Sequence, residues 1–147
     1  MEQKPSAGPP HTANPKNKLR HRNSKFNVNT SKSGRERRTF KGRTYDSIVE
    51  MEYAMVLDGL LNDGHLVVVI PQPIVQLGED FTYRPDFFVM NYSQASHNGH
   101  FIDVKGREDK RFPQTKRLWK KYGRLDLHIV SRTSTGFTTK IIYASQG

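Results

Sequence analysis

The sequence predicts an α/β protein in which helices flank a mixed β-sheet. Residues 83–89 and 100–105 are short runs rich in aromatic and β-branched side chains, and the polar segment between them ends in Asn98-Gly99. Such runs are typical of the two strands of a hairpin. Residues 46–62 and 114–122 have the apolar spacing of helices, and a glycine follows each of them closely. Helices before and after the strands indicate the α/β class.

Three further segments complete the predicted sheet. Residues 66–70 form a continuous apolar run, which is typical of a central strand buried on both faces. Prolines break this run, so residues 74–77 are predicted to continue as an edge strand or a bent extension. Residues 125–130 and 136–143 are predicted to be the last two strands. Residues 40–45, with Gly42 at a bend, form the entry to the folded domain.

The positive charge of the chain is unevenly distributed. Residues 1–43 contain 12 Lys and Arg against Glu2 and Glu36, a net charge of +10. Residues 44–104 contain one base against nine acids, and residues 105–124 contain nine bases against two acids, so their net charges are −8 and +7. A basic arm, an acidic middle and a second basic stretch suggest a polyanionic partner with a cation between them.

Residues 1–39 are predicted to be a disordered basic arm, and residues 40–147 the folded domain. The arm has few large apolar side chains beyond Leu19, Phe26 and Val28, so it cannot bury enough surface to offset the entropy of ordering. Its lysines and arginines are expected to contact nucleic-acid phosphates without recognising the nucleotide bases. The alternative is a solvated or expression-derived tail. The arginines nearest the domain are Arg35, Arg37 and Arg38.

Length and composition exclude several classes of protein. A chain of 147 residues is long enough for one domain with a core. It has no cysteine, which excludes both a disulfide framework and a cysteine-based zinc site. No apolar run reaches the length of a bilayer span, and the first residues lead into no signal region. We therefore expect a soluble, cytoplasmic protein that does not bind membranes.

Charged residues interrupt both strands of the predicted hairpin. Asp86 lies in the first strand, and Asp103 and Lys105 lie in the second. Because side chains alternate along a strand, Asp103 and Lys105 share one face, and Ile102 and Val104 share the other. With Asp86 on the neighbouring strand, the pattern predicts a cation site with a lysine beside it. A simple ion pair between Lys105 and Asp103 is the alternative interpretation.

The first helix places a third carboxylate on its apolar face. On a helical wheel Glu50 lies within about 80° of the apolar residues of the helix, whereas Glu52 points to solvent. Ser47 and Glu50 also have the Ser-x-x-Glu spacing of a capping box, in which the Glu reaches back to the backbone of the Ser. Glu50 is therefore interpreted either as a capping group or as a partner of Asp86 and Asp103.

The predicted order is helix, strand, strand with Pro-Asp, strand with Asp-x-Lys, helix and strand. This order resembles the PD-(D/E)XK nuclease superfamily, which has the restriction-endonuclease-like fold. Pro85-Asp86 matches the first half of the family motif, Asp103-x-Lys105 matches the second half, and Glu50 matches the upstream acid. Residues 40–130 look most like small phage and prophage nucleases, including Holliday junction resolvases. The resemblance implies a restriction-endonuclease-like αβββαβ core.

The same resemblance implies Mg²⁺-dependent hydrolysis of phosphodiester bonds in DNA, with Mn²⁺ as a substitute. Asp86, Asp103 and the carbonyl of Val104 are implied to bind the cation, and Glu50 to complete the site or to hold a second cation. Lys105 is implied to orient the attacking water or to stabilise the charge of the transition state. Branched DNA as the substrate, a homodimer and a phage protein in the host cytoplasm are also implied by the resemblance.

The second helix follows Lys105 and is strongly basic. Its bases are expected to hold a DNA phosphate near the cation, although a solvated basic face is the alternative. Trp119 of this helix is predicted to belong to the core rather than to stack on a base. His97 and His100 flank a turn and are expected to be solvated. The bases of the helix are Lys116, Arg117, Lys120 and Lys121.

Two other functions remain open beside a DNA endonuclease. One is a nucleic-acid-binding protein that keeps the nuclease fold without catalysis, and the other is a nuclease directed to RNA. The presence of Glu50, Asp86, Asp103 and Lys105 together argues against an inactive protein, because nothing would preserve acids on buried faces without a function.

Overall fold

A computed structural model of the chain describes residues 28–92, 99–106 and 110–145. Its helices are α1 (Lys32–Glu36), α2 (Ile48–Asn62) and α3 (Phe112–Tyr122). Its strands are β1 (Thr39–Phe40), β2 (Arg43–Thr44), β3 (Leu66–Pro71), β4 (Val75–Gln76), β5 (Thr82–Tyr83), β6 (Phe87–Asn91), β7 (Gly99–Lys105), β8 (Leu127–Thr133) and β9 (Gly136–Ile142). No helix among these residues is long and apolar enough to cross a membrane.

The central sheet has five strands in the order β3-β6-β7-β8-β9. β7 and β8 run parallel, and all other neighbours in the sheet run antiparallel. A parallel pair needs a crossover connection, and α3 supplies it between β7 and β8. The predicted α/β class and the mixed central sheet are therefore confirmed, as are the two predicted helices, α2 and α3.

The sheet separates two apolar clusters. On one face α2 packs Ala54 and Leu57 against side chains of the sheet that include Ile102. On the other face α3 packs the fully buried Trp119 against side chains that include Leu127, and the indole N–H donates to the Leu125 carbonyl at 2.9 Å. Trp119 is a core residue, as predicted. Both faces of β7 are covered, which removes water from the strand that carries the candidate site.

The predicted hairpin is present, because β6 and β7 pair antiparallel with Phe87 opposite Ile102. Its first strand begins later than predicted, since Tyr83 lies in β5, which pairs with β4 in a separate small sheet. The bend predicted at Gly42 is also present, where Lys41 and Gly42 have positive φ angles of 47° and 78° between β1 and β2.

The prediction that residues 66–70 form a central strand buried on both faces is wrong. β3 lies at an edge of the central sheet, and Val67 and Ile70 are 48% and 46% exposed. Leu66 is buried beneath α2, whereas α3 lies against the strands at the other side of the sheet. A local apolar run predicts a strand but does not determine which neighbours the strand will have.

Part of the segment predicted to be a disordered arm belongs to the folded domain. Arg38, between α1 and β1, is only 8% exposed. Its guanidinium donates to the carbonyl oxygens of Gly34 and Asn29, at 3.2 Å each, and of Tyr45. Three of the five N–H donors of the Arg38 guanidinium are therefore used within the fold, and contact of Arg38 with phosphate stays a prediction. Residues 1–27 of the predicted arm lie outside the described residues.

Replacing Arg38 with Ala is expected to lower the free energy of unfolding by about 2–4 kcal/mol, because buried carbonyls lose their donor and a cavity is left. Urea denaturation followed by Trp119 fluorescence measures this change. Arg37→Ala is the matched control, since Arg37 is exposed and its loss should change stability by less than about 0.5 kcal/mol. Equal midpoints for the two variants would show that Arg38 does not stabilise the fold.

Candidate active site

The four residues of the predicted site come from three elements and meet at one end of the central sheet. Asp86 directly precedes β6, Asp103 and Lys105 lie at the end of β7, and Glu50 lies in the first turn of α2. Their carboxyl groups are close enough to affect one another, because the charge of Asp103 raises the pKa of both Asp86 and Glu50. The structure thus brings together all four residues that the motif singled out.

Asp103 is the most heavily engaged residue of the site. It is 5% exposed, and its Oδ2 accepts the Tyr83 hydroxyl and lies 2.7 Å from the Lys105 Nζ. The Lys105 Nζ also lies 4.7 Å from the centroid of the Phe112 ring, a cation–π contact with the first residue of α3. The ion pair considered as an alternative is therefore present, and it holds the lysine at the carboxyl groups.

Asp86 extends the hydrogen bonding of the hairpin beyond the end of β6. Its Oδ2 accepts the backbone N–H of Val104 at 2.6 Å, and its own N–H donates to the Ile102 carbonyl at 2.9 Å. Burial is the largest cause that raises the pKa of Asp86 well above its usual value, followed by the charges of Asp103 and Glu50. The Asp103 side chain raises the pKa of Asp86 further as a hydrogen-bonding neighbour, whereas the hydrogen bond from the Val104 N–H lowers it.

Glu50 carries an unsatisfied buried oxygen. Its side chain faces inward as the helical wheel predicted, with 3% of the residue exposed, and Oε1 has no hydrogen-bond partner in the part of the chain that the structure describes. Burial, then the charges of Asp46 and Asp103, raise its pKa to about 7, although the Asp46 N–H and the Arg43 charge act in the opposite direction. Half of the capping box exists, since the Glu50 N–H donates to Ser47 Oγ at 3.0 Å.

The donor set of the site suits a hard cation such as Mg²⁺. Asp86 and Asp103 offer carboxylate oxygens, and Mg²⁺ commonly takes one or two carboxylates with waters and substrate phosphates as the other ligands. Residues 28–92, 99–106 and 110–145 contain no group of three or more His, Cys, Asp or Glu arranged to hold a metal ion. The fit therefore rests on the carboxyl pair and on the unsatisfied Oε1 of Glu50.

No role was predicted for Tyr83 from the sequence, although its hydroxyl contacts Asp103. The hairpin prediction placed Tyr83 at the start of the same strand as Asp86, whereas the structure places it in the separate sheet of β4 and β5. Its ring packs edge-on against Trp119, with 6.0 Å between centroids. The available signal was a tyrosine three residues before Asp86 in the run Tyr83-Arg84-Pro85-Asp86. The spacing alone could not show that the Tyr83 side chain points toward Asp103.

Two of the histidines that the structure describes, His100 and His128, form a stacked pair. His100 and His128 stack in the adjacent strands β7 and β8, with 3.8 Å between ring centroids. Burial lowers the pKa of both, that of His100 to about 4, with the His128 charge as a second cause at His100. The prediction that His100 is solvated is therefore wrong, because it belongs to a strand rather than to the turn. His97 lies outside the described residues.

The predicted bases on α3 lie on the helix that borders the site. Lys116 is half-buried with its Nζ 5.3 Å from the centroid of the Phe112 ring, so Lys105 and Lys116 contact the same ring. The ion pairs found among the described residues involve none of the α3 bases. The exposed bases are Arg117, Lys120 and Lys121 on α3, and Arg35 and Arg37 near α1.

Comparison with known proteins adds little to this geometry. No protein-family model and no curated protein matches the chain. Among solved structures the chain is similar to one described as the crystal structure of SSO0001, at 17% sequence identity and a TM-score of 0.36. The similarity covers 68% of this chain and 50% of the other, so the chain spans half the length of its match. A TM-score of this size does not establish a common fold, so the function has to be argued from the chemistry of the site.

Proposed function

We propose that the chain is a divalent-metal-dependent endodeoxyribonuclease of the PD-(D/E)XK superfamily. The observation that carries the proposal is the pair of carboxyl groups of the half-buried Asp86 and the buried Asp103, with the Lys105 Nζ 2.7 Å from Asp103 Oδ2. Glu50 adds a third buried carboxyl group beside the pair. Ionised carboxyl groups that raise one another's pKa destabilise the fold unless a bound cation or proton neutralises their charge. Such clusters are common at functional sites.

The order of the elements supports a restriction-endonuclease-like core as part of the same proposal. α2, β3, β6, β7, α3 and β8 follow one another in the αβββαβ order that the family resemblance implies, with the short strands β4 and β5 inserted. Asp86 and the Asp103-x-Lys105 segment come from the neighbouring strands of one hairpin. This adjacency supports the match of the two segments to the two halves of the family motif.

The proposed chemistry divides the tasks among the four residues. A bound Mg²⁺ supplies Lewis-acid activation of water and of the scissile phosphate. Asp86 and Asp103 hold the cation, with the Val104 carbonyl as a further ligand, and Lys105 stabilises the negative charge that develops on the phosphate. Glu50 would complete the cation site or hold a second cation, and its pKa of about 7 belongs to the cation-free protein.

The bases of α3 form the proposed DNA-binding surface, because this helix begins at Phe112 beside Lys105. Arg117→Ala and Lys120→Ala are each expected to weaken DNA binding equally for all sequences, and to lower the slope of log affinity against log salt concentration by about 1. Fluorescence anisotropy in EDTA measures binding without cleavage. Lys140→Ala, at an exposed position of the edge strand β9, is the control. Unchanged slopes of log affinity against log salt concentration would show that the bases of α3 face solvent and do not contact DNA.

Branched DNA is the proposed substrate, on the family resemblance, and a homodimer that cuts two strands is proposed on the same ground. The test is incubation of labelled four-way-junction, flap, linear and single-stranded DNA, and of matched RNA, with Mg²⁺, Mn²⁺ or EDTA. Cleavage that needs the cation and is lost in a folded Asp103→Ala variant supports the enzyme. Preference for the junction supports a resolvase, and preference for RNA overturns the DNA assignment.

The rival is a nucleic-acid-binding protein that keeps the nuclease fold without catalysis. The observation in its favour is the ion pair between Lys105 and Asp103, which occupies two of the proposed catalytic groups. It predicts DNA affinity that is the same with Mg²⁺ and with EDTA, together with no cleavage of any substrate. That combination would establish the rival, whereas cation-dependent cleavage excludes it.

A further inference from the structure

The two carboxyl groups of the proposed cation pair are anchored in the same way. Asp86 Oδ2 accepts the backbone N–H of Val104, and Asp103 Oδ2 accepts the Tyr83 hydroxyl and pairs with Lys105. Each carboxyl group therefore has an oxygen that accepts a hydrogen bond from the protein, which limits the rotation of the group. Partners that orient ligands in this way commonly determine metal affinity.

The two donors on Asp103 differ in rigidity. Lys105 carries its ammonium on a long flexible side chain, and in the proposed reaction it must also contact the phosphate. Tyr83 is held in β5 by pairing with Val75, and its ring packs against Trp119, which is fully buried. Tyr83 is therefore the fixed donor and Lys105 the movable one.

We propose that Tyr83 is a positioning residue that holds Asp103 Oδ2 so that Oδ1 is presented to the cation, and that keeps Asp103 in place when Lys105 turns to the phosphate. The inference rests on the proposed function and deepens it. The Tyr83 hydroxyl thus affects cation binding only by orienting Asp103, and it does not contact the nucleic acid.

The test removes one hydroxyl group and leaves the ring in place. Tyr83→Phe keeps the packing against Trp119 and deletes the donor to Asp103. Tyr53→Phe is the control, because Tyr53 is also a half-buried tyrosine and packs against Phe137 and Phe87. Mn²⁺ binding is measured by electron paramagnetic resonance at fixed pH without nucleic acid, and circular dichroism establishes that each variant is folded.

We expect Tyr83→Phe to raise the Kd for Mn²⁺ by about 10-fold, within the range usual for groups that orient a metal ligand, and Tyr53→Phe to leave it unchanged. In the cleavage assay the Mn²⁺ concentration for half-maximal rate should rise by the same factor, while the rate at saturating Mn²⁺ returns toward that of the wild type. If Tyr83 had only a structural role, Tyr83→Phe would not raise the Mn²⁺ concentration for half-maximal rate while leaving the rate at saturating Mn²⁺ near that of the wild type.

Each other outcome is decisive. If the wild type itself binds no Mn²⁺, the proposed function fails and the inference fails with it. If the wild type binds Mn²⁺ and a folded Tyr83→Phe binds it equally well, the proposed function stands and the role of Tyr83 is overturned. A Tyr83→Phe variant that does not fold also overturns the inference, since the hydroxyl would then be needed for stability.

Discussion

Lys105→Met is expected to lower the cleavage rate at saturating cation and DNA by about 10²–10³-fold, the usual effect of removing one group that stabilises transition-state charge. Methionine keeps an unbranched apolar side chain against the Phe112 ring but removes the ammonium that lies 2.7 Å from Asp103 Oδ2. Cation binding should persist, because Asp86, Asp103 and the Tyr83 hydroxyl are unchanged. Single-turnover cleavage and Mn²⁺ binding measure the two effects separately.

Lys116→Met is the matched control, since both lysines contact the same ring and Lys105 is the one paired with Asp103. Lys116 belongs to the proposed DNA-binding surface, so its loss should raise the KM for DNA and change the rate at saturating DNA little. Equal losses of rate in the two variants would show that both lysines act by attracting DNA. Full activity in Lys105→Met would remove Lys105 from the proposed chemistry.

Glu50→Gln is expected to stabilise the cation-free protein by about 1–2 kcal/mol at pH 8. Its pKa is raised from the usual 4.5 to about 7, so the folded state binds the proton more tightly than the unfolded state. The stability that this proton contributes is fully present below pH 4.5, falls as the pH rises, and is lost above about pH 7. The whole shift corresponds to about 3 kcal/mol, and burying the amide offsets part of the gain.

Urea denaturation at pH 8 and at pH 5, in EDTA, measures this effect, and the advantage of Glu50→Gln should disappear at pH 5. Ser47→Ala is the control, because it removes the hydroxyl that accepts the Glu50 N–H and should cost about 1 kcal/mol at both pH values. A Glu50→Gln variant that is less stable than the wild type at pH 8 would identify Glu50 as a helix cap. Stabilisation would indicate a carboxyl group that serves function rather than the fold.

The sequence predicted which segments form helices and strands better than it predicted which segments lie next to one another in the fold. α2 and α3 follow from apolar periodicity and from Ser47 and Pro113 near their first residues, which are local signals. The edge position of β3 depends on pairings with residues distant in the chain, so the aliphatic run could not show it. The polar composition of residues 28–38 likewise could not show that they belong to the folded domain. They do so because one buried arginine, Arg38, donates hydrogen bonds to several carbonyls.

The positions of the candidate site residues were predictable from the sequence, whereas their pKa values were not. Alternation along β7 correctly placed Asp103 and Lys105 on one face, and the helical wheel correctly turned Glu50 inward. The raised pKa of Asp86 and of Glu50 arises from burial and from neighbouring charges, which exist only after folding. The contact of Tyr83 with Asp103 likewise depends on the separate sheet formed by β4 and β5.

The parallel pairing of β7 with β8 determines how much of the chain must be synthesised before the candidate site is complete. Lys105 pairs with Ser131 across these strands, and α3 must be made and folded before β8 can reach β7. Contacts between distant parts of a chain form late in folding. A nascent chain that ends after β7 contains every proposed catalytic residue but lacks the strand and the helix that support them. If the proposed nuclease function holds, we expect cleavage only from chains that include α3 and β8, and none from a chain truncated after β7.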